Sequence, residues 1–157
     1  MAIQTLQASR AISVIPNDNI VIPMPYVAAS GNNALGPPDN LDDAAATFIT
    51  DNVKVGDVVY RTDNSTIATV TSVTSETSLV LSSPIFGGVG TKPYIIYTAG
   101  NNNSCLIYVG VGGDVAIETS AGDQVTLVGL PTGSFVPVHL VKVMSTGTTA
   151  TSIIALW

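Results

Sequence analysis

Short apolar blocks and alternating apolar–polar positions fill most of this chain, and turn residues interrupt them roughly every eight to twelve positions. Alternation with period two marks a half-buried strand, because successive side chains point to opposite faces of a sheet. On that pattern, strands are expected at 11–15, 20–22, 53–60, 65–73, 78–82 and 94–98. A second series is expected at 105–111, 114–119, 125–130, 134–144 and 151–157. The breaks carry turn chemistry, as in Pro16-Asn17-Asp18-Asn19, Thr62-Asp63-Asn64, Gly87-Gly88-Val89-Gly90, Ala121-Gly122-Asp123 and Pro131-Thr132-Gly133. Gly112-Gly113 reads as a hairpin turn. Pro137 is expected at a bulge or an edge, since proline cannot donate to a ladder. The short strands between 53 and 98 suggest a small closed or half-closed barrel.

Three stretches break the strand pattern. Residues 1–9 read as an arm, with Ile3 and Leu6 interleaved with Gln and Thr. Residues 28–40 are linker chemistry, punctuated by Gly31, Gly36, Pro37 and Pro38, and residues 100–104 form a second hinge-like stretch. Residues 41–50 are the only segment able to hold a helical turn, with Asp39 or Asn40 as N-cap and Asp42 and Asp43 near the positive end of the dipole.

Composition strengthens the strand reading. Val, Ile and Thr make up 52 residues, and branched Cβ atoms favour extended backbone over helix. The chain is 46% hydrophobic and only 10% charged, too apolar to stay open. No apolar run approaches the ~20 residues of a bilayer-spanning helix. The opening residues lack a basic stretch followed by an apolar one, so no secretory signal is expected. With a net charge of −6 and basic residues scattered at Arg10, Lys54, Arg61, Lys92 and Lys142, no nucleic-acid stripe can be assembled. Cys105 is alone, which leaves the fold to its apolar core.

Material for chemistry is scarce. His139 is the single histidine, and a Cys105–His139 nucleophilic pair is conceivable if both lie on strands of one domain. Neither residue is flanked by a Gly-rich elbow. The best metal candidate is Asp39-Asn40-Leu41-Asp42-Asp43, but a calcium loop starting there would want Gly and Glu where Ala44 and Thr50 stand. A capped helix start accounts for these acids better. Gly87-Gly88-Val89-Gly90-Thr91-Lys92 has the wrong order for a phosphate loop, which places Lys before Ser/Thr and a helix behind it. Tyr94, Tyr97 and Tyr108 read as strand faces rather than a sugar platform. No catalytic residue, metal or cofactor is therefore expected.

The C-terminal half carries a resemblance. The segments Cys105-Leu106-Ile107-Tyr108-Val109-Gly110-Val111-Gly112-Gly113, Gly122-Asp123-Gln124-Val125-Thr126-Leu127, Gly129-Leu130-Pro131-Thr132-Gly133-Ser134-Phe135-Val136-Pro137 and Thr146-Gly147-Thr148-Thr149-Ala150-Thr151-Ser152-Ile153-Ile154-Ala155-Leu156-Trp157 follow one another in this order. That order resembles small virion proteins of tailed phages, particularly the head spike base proteins of gene transfer agents and related phages. Residues 11–19 look like the N-terminal strand of that family. In the family this strand runs almost directly into the Tyr-Val-Gly segment, whereas here a long insert intervenes. Strand chemistry and turn spacing predict an all-β fold, an antiparallel β-sandwich or barrel, and the departure from the family adds a small inserted β-barrel-like domain. Residues 10–30 and 99–157 would form the discontinuous sandwich, with 31–40 as linker and 41–98 as the insert.

The same resemblance implies a non-enzymatic virion protein on the capsid surface, a cement protein or a head-spike base. Its partners would be further copies of itself, as a trimer or pentamer, and the major capsid protein or another virion protein, with no nucleic acid and no membrane. An excess of apolar residues over charge suits a subunit that buries area against neighbours. Ile3, Leu6, Tyr108, Phe135 and Trp157 are the interface candidates, Trp157 being either an anchor or a core plug. The alternative is a tail-fibre, spike or baseplate module binding host-surface glycan. A hydrolase relying on His139 is a third reading.

Overall fold

A computed structural model describes residues 8–33, 36–88, 90–100 and 104–157. Its elements are β1 (Ala11–Ser13), β2 (Val27–Asn33), β3 (Asn40–Asp42), β4 (Val58–Arg61), β5 (Thr66–Val73), β6 (Ser78–Leu81), β7 (Lys92–Tyr97), β8 (Cys105–Val111), β9 (Gly113–Thr119), β10 (Gln124–Leu130), β11 (Ser134–Val143) and β12 (Thr151–Leu156). The fold is all-β, and the pairings are antiparallel. Two compact units divide the chain: 1–22 with 102–157, and 23–101.

The first unit is one sheet in the order β1-β12-β8-β11-β9-β10. Its buried face alternates as the pleat requires: Cys105, Ile107 and Val109 on β8 meet Ile153 and Ala155 on β12 and Val136 on β11. Leu140 faces both Cys105 and Thr119 in register, so β11 passes from the start of β8 to the end of β9 and the sheet curls. β8 and β9 do not pair with each other, and each runs antiparallel to β11. This corrects the hairpin expected at Gly112-Gly113. The chain continues from one strand into the next there, and a Cβ on Gly112 or Gly113 would collide with backbone at Leu130–Thr132 or Ala150. The glycines admit two crossing backbones rather than a reversal. Pro137 does lie in a bulge, between Val136 and Leu140.

Beside the first residues of β9, the segment after β11 completes the ladder with threonines. Thr148 Oγ1 accepts from the Ala116 amide and Thr149 Oγ1 from the Asp114 amide, both at 2.9 Å. The Asp18 carboxylate receives the Thr146 amide and hydroxyl, each at 2.9 Å, tying the N-terminal residues to this segment.

The second unit is a sheet in the order β2-β7-β4-β5-β6-β3. Its core holds Leu41, Phe48, Val59, Val70, Leu79, Phe86, Tyr94 and Ile96, with Tyr94 between the Phe48 and Phe86 rings. The edge strands β2 and β3 meet through side chains: the Asp42 amide donates to Asn33 Oδ1 at 2.7 Å and the Asn32 amide to Asp43 Oδ2 at 3.3 Å. The sheet therefore closes on itself through a polar seam, in keeping with the barrel-like expectation.

That closure corrects the expected boundaries. Residues 31–40 are not a linker, since β2 and the start of β3 occupy half of their described part, and the second unit begins at residue 23 rather than 41. Among the described residues, 41–50 form no helix. β3 takes the first two, and turns follow. Sequence reading missed β2 because Ala-Ala-Ser-Gly-Asn-Asn has no β-branched residue. Gly31 is needed there since a Cβ would overlap the Asp43 carboxylate and the Tyr94 hydroxyl.

Candidate functional site

Asp42, Asp43, Arg61, Lys92 and Cys105 are engaged in internal contacts. Asp43 is buried, and its carboxylate accepts from the Tyr94 hydroxyl at 2.8 Å and the Ala45 amide at 2.9 Å, in addition to the Asn32 amide. Asp42 Oδ1 receives the Ser78 hydroxyl at 2.6 Å. Of the two acids expected near the positive end of a helix dipole, Asp43 instead stitches the barrel seam, where one carboxylate satisfies several donors at once, and Asp42 ties β3 to its neighbour β6. Burial and the Asp43 bond push the Tyr94 hydroxyl far above its ordinary value. Among the described residues, no group of three acids, His or Cys is placed to hold a metal ion.

The glycine loop before β7 is the inverse of an anion cradle. Lys92 is buried, and its ammonium donates to the carbonyls of Gly88 at 2.9 Å and Gly90 at 2.7 Å. A phosphate loop turns N–H groups toward an anion, whereas these carbonyls enclose the chain's own cation. Nearby, the Arg61 guanidinium grips Asp63 through two nitrogens, at 2.6 and 2.8 Å, and donates a third bond to the Ile85 carbonyl. It holds the Asp63 carboxyl below the ordinary range.

Cys105 and His139 are kept apart by the pleat. Leu140 opposes Cys105 on the inner face, so the preceding His139 turns outward. The Cys105 thiol lies against the Leu140 carbonyl, and burial pushes it up to about 12. A thiol held so far above neutral pH is a poor nucleophile. His139 Nδ1 instead sits 3.3 Å from the Ser104 hydroxyl, at an exposed position.

The interface candidates fare differently. Tyr108 and Phe135 stand opposite one another on β8 and β11, facing away from the buried side, with ring centroids 5.1 Å apart and planes tilted by 55°. Register places Leu106, Ile154 and Leu156 on the same outward face. The sheet is thus apolar on both sides here, and Phe135 is 64% exposed. A tilted aromatic pair with an uncovered ring is interface chemistry rather than core chemistry. Trp157 is half-buried, held to Arg10 by backbone bonds at 3.0 and 3.2 Å, and its indole N–H has no partner among the described residues. Ile3 and Leu6 lie outside the described residues. Tyr94 is a core residue, and Tyr97 packs edge-to-face on Tyr60 at 5.0 Å.

Sequence reasoning passed over the exposure of Val111, Val125 and Val128, which are 50, 45 and 77% exposed. The run Val125-Thr126-Leu127-Val128 breaks strict alternation, the one local sign that β10 is not an ordinary half-buried strand. No family model, curated protein or solved structure matches the chain.

Proposed function

We propose that this chain is a non-enzymatic structural protein of a tailed-phage virion, seated on the head as a decoration protein or spike base. The observation that carries this reading is the outward apolar face around Tyr108 and Phe135, on the strands whose residues carry the resemblance. A sheet that buries one face in its own core and leaves aromatics on the other has a second surface to cover. The occupation of Asp42, Asp43, Lys92 and Cys105 in internal bonding supports a role in assembly over one in turnover. The partners in this reading are further copies of the chain, as a trimer or pentamer, and a capsid subunit.

Capsid shells of the phage that carries the gene provide the test. The protein is expected to co-sediment with them, and Phe135→Ser to abolish co-sedimentation while leaving the circular dichroism spectrum unchanged. Binding to host-envelope extract without binding to shells would overturn the head assignment in favour of the glycan-binding alternative.

A further inference from the structure

Every open sheet edge is a template for another strand, and this fold treats its edges unequally. β2 and β3 meet each other across the polar seam. β1 is only three residues long and follows Arg10, the Trp157 backbone merely extending its pairing with β12. β10 is different. It is seven residues long, has no charged residue and no proline, and lies at the end of its sheet.

The hairpin before it fixes which backbone groups point outward. The Thr119 amide donates to the Asp123 carbonyl, and the register continues as Gln124 opposite Glu118 and Val125 opposite Ile117. Antiparallel alternation then turns the amides and carbonyls of Gln124 and Thr126 away from β9. Val125 shares a face with buried Ile117, yet is 45% exposed because no strand lies beyond it among the described residues. The register shift after Leu127, where Gly129 takes φ +66°, ends the regular edge.

We propose that this edge pairs with the same edge of a second copy of the chain, antiparallel and centred on Val125. Gln124 of each copy then exchanges both backbone hydrogen bonds with Thr126 of the other, and the two Val125 side chains cover each other. Charge selects this edge for the self-pairing. Copies carrying −6 each repel, and they approach at least cost where the strands are neutral and Asp123 faces Leu127 rather than another acid. This two-fold contact is separate from any ring contact and does not depend on the virion reading.

Cross-linking tests it directly. At the centre of the pairing the two residues form a non-hydrogen-bonded pair with Cα atoms about 4.5 Å apart, within disulfide range. Val125→Cys is therefore expected to give a covalent dimer on mild oxidation, with Cys105 buried and inert. Thr126→Pro added to Val125→Cys removes an outward donor without touching the β9 ladder, and should abolish the cross-link. In the unaltered protein, raising the concentration should slow amide exchange at Gln124 and Thr126 about tenfold while leaving Val115 unchanged. Exchange independent of concentration, cross-linking that survives Thr126→Pro, or protection that appears only when another protein is added would each overturn the pairing. Loss of shell binding with the cross-link intact would count against the virion reading alone.

Discussion

The two units are built from the same strand-rich sequence, but they bring their strands round in different ways. The second closes through buried polar side chains: Asn33, Asp43 and Tyr94 span the gap between β2 and β3, with Gly31 leaving room for them. The first curls through backbone register, Leu140 facing both Cys105 and Thr119, and completes β9 with threonine hydroxyls. A buried carboxylate concentrates closure in a few atoms, and each of its amides is stranded if it is removed. Hydroxyl contacts that are exposed or only part-buried are individually weak and replaceable by water. The second unit should therefore be brittle at single positions, and the first should tolerate them.

The largest expected effect follows from that contrast. Asp43→Ala strands the Asn32 and Ala45 amides and the Tyr94 hydroxyl, and should destabilise the second unit by about 3 kcal/mol. Hydrogen exchange should accelerate across β2, β3 and β7 while the β8 and β12 amides keep their protection. Equal loss in both units would break the comparison and make them one cooperative body. Lys92→Met is the next largest. It removes the cation that the Gly88 and Gly90 carbonyls enclose, at a cost of about 2 kcal/mol read from urea midpoints, with new proteolytic nicking at 87–90.

Most strands were legible because burial follows alternation: 105–111 and 134–144 are found almost as expected, as β8 and β11. What escaped was set by partners distant in sequence. Ala28–Asn33 has the composition of a loop and is a strand because β7 pairs with it and Asp43 receives it. The acids at 39–43 look like a helix start, since N-cap chemistry and seam chemistry both ask for a carboxylate facing amides. Gly112-Gly113 has hairpin residues but lies where two backbones cross, a long-range fact that local turn rules do not contain. At the candidate site, Tyr108 and Phe135 were legible as residues and illegible as a pair, because the register that joins them is fixed by the bulge at Pro137.

A smaller effect sharpens the picture of the first unit. Ser134 opposes Val109 on the inner face, and its hydroxyl is buried without a partner among the described residues. Ser134→Ala removes that desolvated group and should stabilise the unit by about 1 kcal/mol, seen as a raised urea midpoint with an unchanged slope. An unchanged or lowered midpoint would mean that the hydroxyl is bonded in solution.

Acid should separate the units most gently. The Thr146 amide and hydroxyl hold the Asp18 carboxyl below its ordinary 3.8, and the Lys142 ammonium with Gln124 holds Glu118 below 4.5. In the second unit, the Thr50 hydroxyl and amide do the same for Glu76. Each of these groups binds its proton less readily folded than unfolded. Its contribution is therefore complete above the unfolded value and disappears as pH falls through the folded one. Stability should be flat at neutral pH and begin to decline near 4.5, as Glu76 and Glu118 take up protons in the unfolded chain, with Asp18 following below 3.8. Asp18→Asn should flatten the lower part of that decline for β9 and β12 amides only, and Glu76→Gln the upper part for residues 48–53. If Asp18→Asn flattens the profile of both units alike, the Asp18–Thr146 contact acts on the whole chain, and the first unit is not the independently tolerant sheet its register implies.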